Sequence, residues 1–593
     1  MTNLIIQVSK YLIIVLMALY TFQCYTVFQK KEEEARDYLF LRQNMLMFFM
    51  HFVAFTVLYL EMTETTVLIF YGAQMIYFAA VLVLFRNLYP RASRLLINNM
   101  CMLICIGFIM ITRLSYDKSI KQFKIAIGAT VIALLIPLLI RKLRFITKMY
   151  WLYALVGIGL LALVAILAQT TNGAKLSFSV GGISIQPSEF VKIIYVFAIA
   201  GLLSHARDFK RLVIATGLAA LHVLILVASK DLGCALIFFV VYLVMLFVAT
   251  KNPFYVAAGI LAGSVAAVGA YFLFSHIRVR VHVWQDPFSD YQIGGYQICQ
   301  SLFSISAGSW FGTGLYQGSP GAIPFVEQDF MFSAIAEELG TIFGICLILV
   351  CMSCFIMFVN IAMQLTNRYY RLVAVGLGTT YAAQIFLTIG GGIKLIPLTG
   401  VTLPLVSYGG SSMLSTLIMF SIVQGLYMLR RDEEIRARKQ KDQDYMPEQN
   451  SYYTQMPYGY QRDVYDRTPN GYQENAYDRE PNGYQGNVYD REPNGYQGNA
   501  YDRTPNSYRG NAYDRASNDY QRNIYDREPN GYQENAYDGV PNGYPMNSYD
   551  EEYEHYDSRQ DYYDDAYGVS QSRYDYYQDD EYEGGQYGEK KDW

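Results

Sequence analysis

The sequence predicts an all-α polytopic membrane protein that runs on into a long soluble tail, and three observations carry that reading. From the start to about Leu429, apolar blocks of near-spanning length follow one another, separated by short polar connectors. A bilayer core takes roughly 20 apolar residues per helix, and these blocks supply that length. From about Arg430 onward no such block exists. The 593-residue chain is 53% hydrophobic and 17% charged, yet its mean hydropathy is barely positive, because two unlike parts are averaged.

By the twenty-residue rule the spans number about thirteen. They lie near 4–28, 41–61, 64–86, 95–112, 122–141, 149–168, 188–204, 211–228, 231–249, 254–274, 331–358, 370–390 and 410–429. The first lacks a preceding basic region and a following small-residue cleavage site, so it reads as a retained helix. Basic connectors follow span one (Lys30, Lys31, Arg36, Arg42), span three (Arg86, Arg91, Arg94), span five (Arg141, Lys142, Arg144, Lys148) and span seven (Arg207, Lys210, Arg211). Lys251, Arg368, Arg371 and the cluster from Arg430 to Lys441 complete the set. All fall on one side, which the positive-inside rule makes cytoplasmic, with the N-terminus outside and the tail in the cytoplasm. The outer face then receives loops 169–187, 275–329 and 391–409. The second of these is long for a polytopic protein and rich in aromatic and glycine residues, which favours function over disorder.

The net charge of -4 says little, since the signs are segregated, and no nucleic-acid partner is expected. Of eight cysteines, all but Cys299 fall inside apolar blocks, where a thiol behaves as a small hydrophobe; neither a disulfide framework nor a cysteine metal site is implied. The tail repeats a twelve-residue unit beginning Tyr465-Asp466-Arg467-Thr468-Pro469-Asn470-Gly471, again at Tyr477, Tyr489, Tyr501, Tyr513, Tyr525 and Tyr537. Each unit carries turn chemistry and no aliphatic core, so its composition predicts a disordered tether. The sharper alternative is a multivalent tyrosine-based region for a cytoplasmic partner.

Asp329 stands at the doorstep of a long apolar segment, with Glu337 and Glu338 inside it. An ionisable side chain at membrane depth costs on the order of 2.5–3.5 kcal/mol or more, so such acids are functional candidates. The run Gln186-Pro187-Ser188-Glu189 opens a helix, with Glu189 and Lys192 at i, i+3; the choice lies between an internal ion pair and a cation facing a phosphate. Ser229-Lys230-Asp231 reads as a short outer turn. His276, Arg278, Arg280 and His282 recur at every second position, ahead of Gly294-Gly295-Tyr296-Gln297. They either anchor to lipid head groups or bind an anionic pyrophosphate. The last loop, from Gly390 through Lys394 and Ser407 to Ser412, has Gly and Pro dense enough to break a helix, which is tolerated at membrane depth only where buried or lining a cavity.

The segments GGISIQPSEFVK, DLGCALIF, GGYQICQS, DFMFSAIAEELG and LIPLTGVTLPLVSYGGSS, in that order over about 95–430, closely resemble the SEDS (shape, elongation, division and sporulation) family. The resemblance implies a ten-helix core and a peptidoglycan glycosyltransferase that polymerises lipid II outside the membrane, partnered by a class B penicillin-binding protein. The chain then divides into an extension of three helices (1–94), the core (95–432) and the repeat tail (433–593). Asp329 matches the family's essential acid. Lys175, Gln186, Glu189, Lys192, Arg278, Arg280, Gln297, Lys394, Ser407 and Ser411 are the substrate-binding candidates, and Glu337, Glu338 and Asp231 the candidates for a structural or cation site. Two departures stand out: Leu176-Ser177 replaces the family's usual Arg-Trp, and Lys230 its usual Pro.

The expected reaction is an inverting transfer in which Asp329, as general base, deprotonates the acceptor's 4-hydroxyl. The leaving undecaprenyl pyrophosphate needs cations such as Lys192, Arg278, Arg280 or Lys394, or a divalent metal, Mg or Mn. The structural alternative for Asp329 is an N-cap on the helix beginning near Phe330, and the two roles can coexist. A lipid II flippase and a non-catalytic scaffold for the transpeptidase are the rivals from other classes.

Overall fold

The computed structural model describes residues 2–142, 147–167, 169–171, 174–180 and 183–454; the tyrosine repeats lie outside the described residues. Thirteen helices are long and apolar enough to cross a membrane, as the sequence predicts. In chain order the first five are α1 (Thr2–Gln29), α2 (Glu33–Met62), α3 (Thr65–Leu88), α4 (Arg94–Leu114) and α5 (Tyr116–Lys142). There follow α6 (Tyr150–Leu167), α7 (Pro187–His205), α8 (Phe209–Ala228), α9 (Leu232–Thr250) and α10 (Pro253–Leu273). Two shorter helices, α11 (Ser275–Gln285) and α12 (Tyr296–Gly308), occupy the long loop ahead of α13 (Met331–Gln364), α14 (Arg368–Gly392) and α15 (Gly410–Thr454). Between α6 and α7 the connector forms a three-stranded antiparallel meander, β1 (Gln169–Thr171), β2 (Ala174–Val180) and β3 (Ile183–Ile185), a detail the apolar-length rule does not resolve.

Helix boundaries follow local chemistry. Asp231 accepts from the Cys234 amide at 3.1 Å to cap α9. Asn252 caps α10 with Pro253 in its first turn, and Asn367 caps α14 through the Tyr369 amide at 2.9 Å.

The three-helix extension is part of the bundle. Every residue of α4 from Leu95 to Thr112 is buried, because α1–α3 cover a face that would otherwise meet lipid. Polar side chains join these helices at depth. Tyr20 donates to Asn99 (3.0 Å), Asn99 to Ser353 (2.7 Å) and Asn98 to Gln43 (3.0 Å), linking α1, α2, α4 and α13. Such intramembrane hydrogen bonds are worth about 0.6–2 kcal/mol each. By contrast α10 buries no residue.

Thirteen alternating helices give two ends. Arg91, Arg94, Arg141 and Arg431 pair with Asp432, Asp37, Asp432 and Glu33 at one, the arginine end. Asp329 lies at the other.

Helix α13 is broken at Gly340, whose φ of 87° and ψ of 164° belong to neither helical turn. A Cβ there would lie 2.4 Å from the Gly312 nitrogen and 2.5 Å from the Phe311 carbonyl carbon. The break lets loop 309–314 dock directly on the helix backbone: Thr341 N donates to Ser309 O (3.0 Å) and Ile342 N to Trp310 O (3.2 Å). Gly340→Ala therefore meets both a forbidden φ and a backbone clash, and a loss of at least about 1–3 kcal/mol is expected, read as a lowered melting temperature of the purified protein.

Candidate functional site

The site is built where the long loop returns to the bundle. A tight turn (Val326 N to Ile323 O, 3.2 Å; Asp329 N to Phe325 O, 3.2 Å) leaves Asp329 two residues ahead of α13. The N-cap of that helix is Phe330, with no side-chain cap, so the carboxylate of Asp329 is not used as a helix cap. None of the described residues donates a hydrogen bond to it. The side chain is partly accessible yet surrounded by protein, and burial raises its pKa from an ordinary 3.8 to about 6. Arg280 opposes that shift and Glu327 adds to it.

Arg280 comes from α11, half-buried, and donates to Leu398 O at 3.0 Å. It acts electrostatically on both Asp329 and Asp231, while desolvation holds its own pKa below the usual value. The alternating pattern of basic residues sits on a helix, where positions two apart fall on opposite faces and positions four apart share one. His276 and Arg280 accordingly face the protein, and the pKa of His276 is lowered by burial, then by Lys230 and Arg280. Arg278 and His282 are exposed, and Arg278 donates to Phe272 O at 2.8 Å. The structure separates two arginines that the sequence treats as equivalent.

The third wall is the last loop. Gly400, whose φ of 72° suits glycine, borders the carboxylate of Asp329, and a Cβ there would stand in ordinary contact at 3.8 Å from Oδ2. Lys394 is half-buried and near Cys299, and its carbonyl accepts from Trp284 at 3.2 Å. Ser407 is buried, with its hydroxyl accepting from Leu403 N (3.0 Å), and so holds the loop's own turn. Gln384 Nε2 fixes the same loop through Thr402 O at 3.0 Å.

Below this wall runs a closed polar network. Lys192, 2% exposed, donates to Glu189 Oε1 (2.9 Å) and Gln384 Oε1 (2.8 Å), and Ser415 donates to Glu189 Oε2 (2.9 Å). This arrangement is the internal ion pair, and it places no ammonium at the surface. Beside it, Ser188 donates to Asp231 Oδ2 (3.0 Å), Gln186 Nε2 reaches the same oxygen at 3.4 Å, and Gln186 N donates to Ser411 Oγ (2.9 Å). Gln297 is half-buried on α12. The Lys175 side chain lies outside the described residues.

Glu337 and Glu338 serve the loop. Glu337 Oε1 accepts from Ser319 N (2.6 Å), while Glu338 pairs with Arg113 (2.8 Å). Arg113 also donates to Gly318 O (3.0 Å) and stacks 4.1 Å over Tyr316. A second bridge, Lys118 to Glu327, ties α5 to the turn before Asp329, and Tyr408 N donates to Glu327 O at 2.7 Å. Sequence reading missed Arg113, Lys118, Glu327 and Gln384. A signal was present: Arg113 and Lys118 are cations at the end that the positive-inside pattern leaves poor in them. Between this turn and α4 lies a cavity of about 420 Å³ lined by Ser115, Lys118, Phe325 and Glu327.

Among the described residues no three His, Cys, Asp or Glu side chains gather as a metal cluster. A divalent ion would take one or two carboxylates from the chain and the rest of its shell from phosphate oxygens and water, a mode that suits Mg²⁺. Asp329 accepts no hydrogen bond from the described residues and is the carboxylate open to such an ion, whereas both oxygens of Asp231 already accept from the chain.

A family model described as "Cell cycle protein", spanning FtsW, RodA and SpoVE, matches residues 93–432. The peptidoglycan glycosyltransferase RodA of Mycobacterium leprae is 34% identical over 372 residues, covering 58% of this chain and 80% of that protein. The probable peptidoglycan glycosyltransferase FtsW of Pseudoalteromonas translucida is 30% identical, with 58% of this chain and 89% of its own length covered. Stage V sporulation protein E of Bacillus subtilis is 34% identical over 44% of this chain and 73% of its own. A solved structure described as "Structural coordination of polymerization and crosslinking by a peptidoglycan synthase complex" aligns with a TM-score of 0.50 at 25% identity, covering 57% of this chain and 98% of that one. With more than half its length matched and its order of motifs intact, the chain belongs to the FtsW/RodA/SpoVE family, the SEDS proteins.

Proposed function

We propose that this protein is a peptidoglycan glycosyltransferase that polymerises lipid II on the outer face of the cytoplasmic membrane, with Asp329 as general base. The observation that carries the reading is a carboxylate that accepts no hydrogen bond from the described residues, beside a half-buried arginine and the loop at Gly400. A base whose pKa is about 6 is mostly ionised at neutral pH yet holds a proton well enough to take one from a sugar hydroxyl. As the acceptor's 4-oxygen bonds to the donor's anomeric carbon, with inversion, its proton passes to Asp329. The bond to the donor pyrophosphate breaks, and undecaprenyl pyrophosphate leaves with the electron pair.

Arg280 is the cation best placed for that leaving group, with Lys394 second; Lys192 acts only through the loop that Gln384 holds. A divalent cation held by Asp329 and by phosphate oxygens of the donor would supply further neutralisation. The orientation follows the positive-inside pattern: the Asp329 end outside, the arginine end and the repeat tail cytoplasmic, where the tyrosines are available to a soluble partner. The proposed extracytoplasmic partner is a class B penicillin-binding protein, which would crosslink the strands.

Purified protein with its transpeptidase partner, supplied with lipid II, tests the reading. Glycan strands support it. Movement of labelled lipid II across vesicles with no polymer would replace it with a flippase.

The two arginines of α11 give a sharper test within the site. Arg280→Gln is expected to slow polymerisation about 10²-fold or more, the scale of losing one preorganised electrostatic group. It should also move the acid limb of the pH–rate profile upward, because Arg280 lowers the pKa of Asp329. Arg278→Gln should stay within about twofold of wild type, since its side chain is solvent-exposed. Equal losses in the two variants would remove Arg280 from the site.

A further inference from the structure

The arginine end holds a second polar crevice, unrelated to Asp329. A cavity of about 550 Å³ opens between the start of α2, the turn at 90–94 and the emerging part of α15. Six arginines line it, Arg36, Arg91, Arg94, Arg430, Arg431 and Arg438, against three carboxylates, Glu33, Asp37 and Glu434.

Four of the arginines are paired: Arg94 with Asp37 (2.6 Å), Arg430 with Glu434 (3.0 Å), Arg431 with Glu33 (3.2 Å) and Arg91 with Asp432 (2.5 Å). Arg36 and Arg438 have no carboxylate partner among the described residues. Among the described residues, the buried Nε atoms of Arg36 and Arg430 have no acceptor. With six arginines against three lining carboxylates, and Arg36 and Arg438 without a carboxylate partner among the described residues, the crevice carries surplus positive charge complementary to an anion with several acceptor oxygens. The planar guanidinium fork matches phosphate bidentately.

Position narrows the ligand further. The crevice sits at the end of the bundle, where transmembrane helices emerge and lipid phosphates lie, and basic pockets between helices at that level take anionic headgroups. Arg36 and Arg438 lie outside residues 93–432 while Arg94, Arg430 and Arg431 lie within them, so the site joins what flanks the family core to the core itself.

We propose that this crevice is a binding site for a phosphate-bearing anion at the membrane surface, seated on Arg36, Arg430 and Arg438 and joining the N-terminal extension to α15. An anionic phospholipid headgroup is one source of that chemistry, and a soluble phosphate or pyrophosphate the other.

The test is native mass spectrometry of the full-length protein in detergent. It would be titrated separately with cardiolipin, phosphatidylglycerol, phosphatidylcholine and inorganic pyrophosphate. Wild type should retain cardiolipin or phosphatidylglycerol well above phosphatidylcholine, or bind pyrophosphate, and Arg36→Gln/Arg438→Gln should weaken that binding at least tenfold. Retained lipid that pyrophosphate does not displace identifies a headgroup, and pyrophosphate binding in lipid-free protein identifies a soluble anion. Arg207→Gln, which removes an exposed charge elsewhere on the chain, controls for a general loss of positive charge and should bind as wild type does. Melting curves separate misfolding from loss of the site, and Arg438→Lys, which keeps the charge and loses the fork, should retain only part of the affinity. Identical anion binding by wild type and the folded double variant overturns the proposal, as does a loss of equal size in Arg207→Gln.

Discussion

Asp329→Asn is expected to lower the rate of lipid II polymerisation by about 10²–10⁴-fold, the range that a positioned general base contributes, with the bundle still folded. The substitution keeps size and polarity and removes only the ability to accept the proton. The carboxylate makes no hydrogen bond to described residues and caps no helix, and its link to the site is its electrostatic interaction with Arg280. A structural residue would behave in the opposite way, losing stability and activity together. Full polymer yield from Asp329→Asn would remove it from the role of base.

The same residue sets the pH dependence. In the folded protein its pKa is raised from 3.8 to about 6, mainly by burial, so the rate should climb with pH through about 6 and then level off. The linked effect on stability has the reverse sign. Between these two values the folded state binds more protons than the unfolded one, so ionisation costs stability as pH rises from about 4 to about 6. The full cost is at most about 3 kcal/mol, less whatever solvent contact at this partly accessible side chain relieves. Asp329→Asn is relieved of it. Its melting temperature should match wild type near pH 4, gain on it through pH 6, and keep the gain above. A site that becomes more stable as it becomes inactive is the pattern of strain held for function.

How much of this was legible before the structure depends on the range of the signal. Thirteen spans were readable because apolar length is a local property of the chain. Asp329 was readable because an acid beside a long apolar run is conspicuous. What failed was anything set by the path of the chain in three dimensions. Alternating His276, Arg278, Arg280 and His282 gave one list of cations, and only the winding of α11 decides that Arg280 turns inward and Arg278 outward. Lys192 was open between ion pair and phosphate ligand until the packing of α14 and α15 brought Gln384 and Ser415 to it and its neighbour Glu189. The pairing of Arg113 with Glu338 spans 225 positions, and no spacing rule reaches that far. The packing of the N-terminal helices onto α4 and α13 rests on Tyr20, Asn98 and Asn99, polar residues that look incidental in an apolar stretch.

The largest loss of stability is expected from Arg113→Met. Glu338 is fully buried and its Oε1 pairs with Arg113 at 2.8 Å, while its Oε2 is not matched by a hydrogen-bond partner among the described residues. Removing the arginine leaves a buried carboxylate uncompensated, which costs about 3–5 kcal/mol. The double variant Arg113→Met/Glu338→Leu removes the stranded charge as well. Replacing both members of a buried pair by apolar residues is often neutral, so most of the lost stability should return. Activity should not return with it. Arg113 also donates to Gly318 O (3.0 Å) and packs on Tyr316, so it holds the loop that ends at Asp329 from a side the double variant leaves empty. The backbone anchors from Thr313 and Gly314 to the carbonyls of Glu337 and Glu338 remain, at 2.8 and 2.9 Å, so the loop should shift while staying docked. A displacement of about an ångström at a catalytic group is worth up to roughly 10²-fold in rate, and the double variant should polymerise lipid II ten- to a hundredfold more slowly at near wild-type stability. Melting curves and initial rates on the wild type, both single variants and the double complete the cycle. A double variant that recovers rate along with stability would mean that the pair only holds the fold, and that Asp329 is positioned by the Lys118–Glu327 bridge and the turn at 325–329 alone.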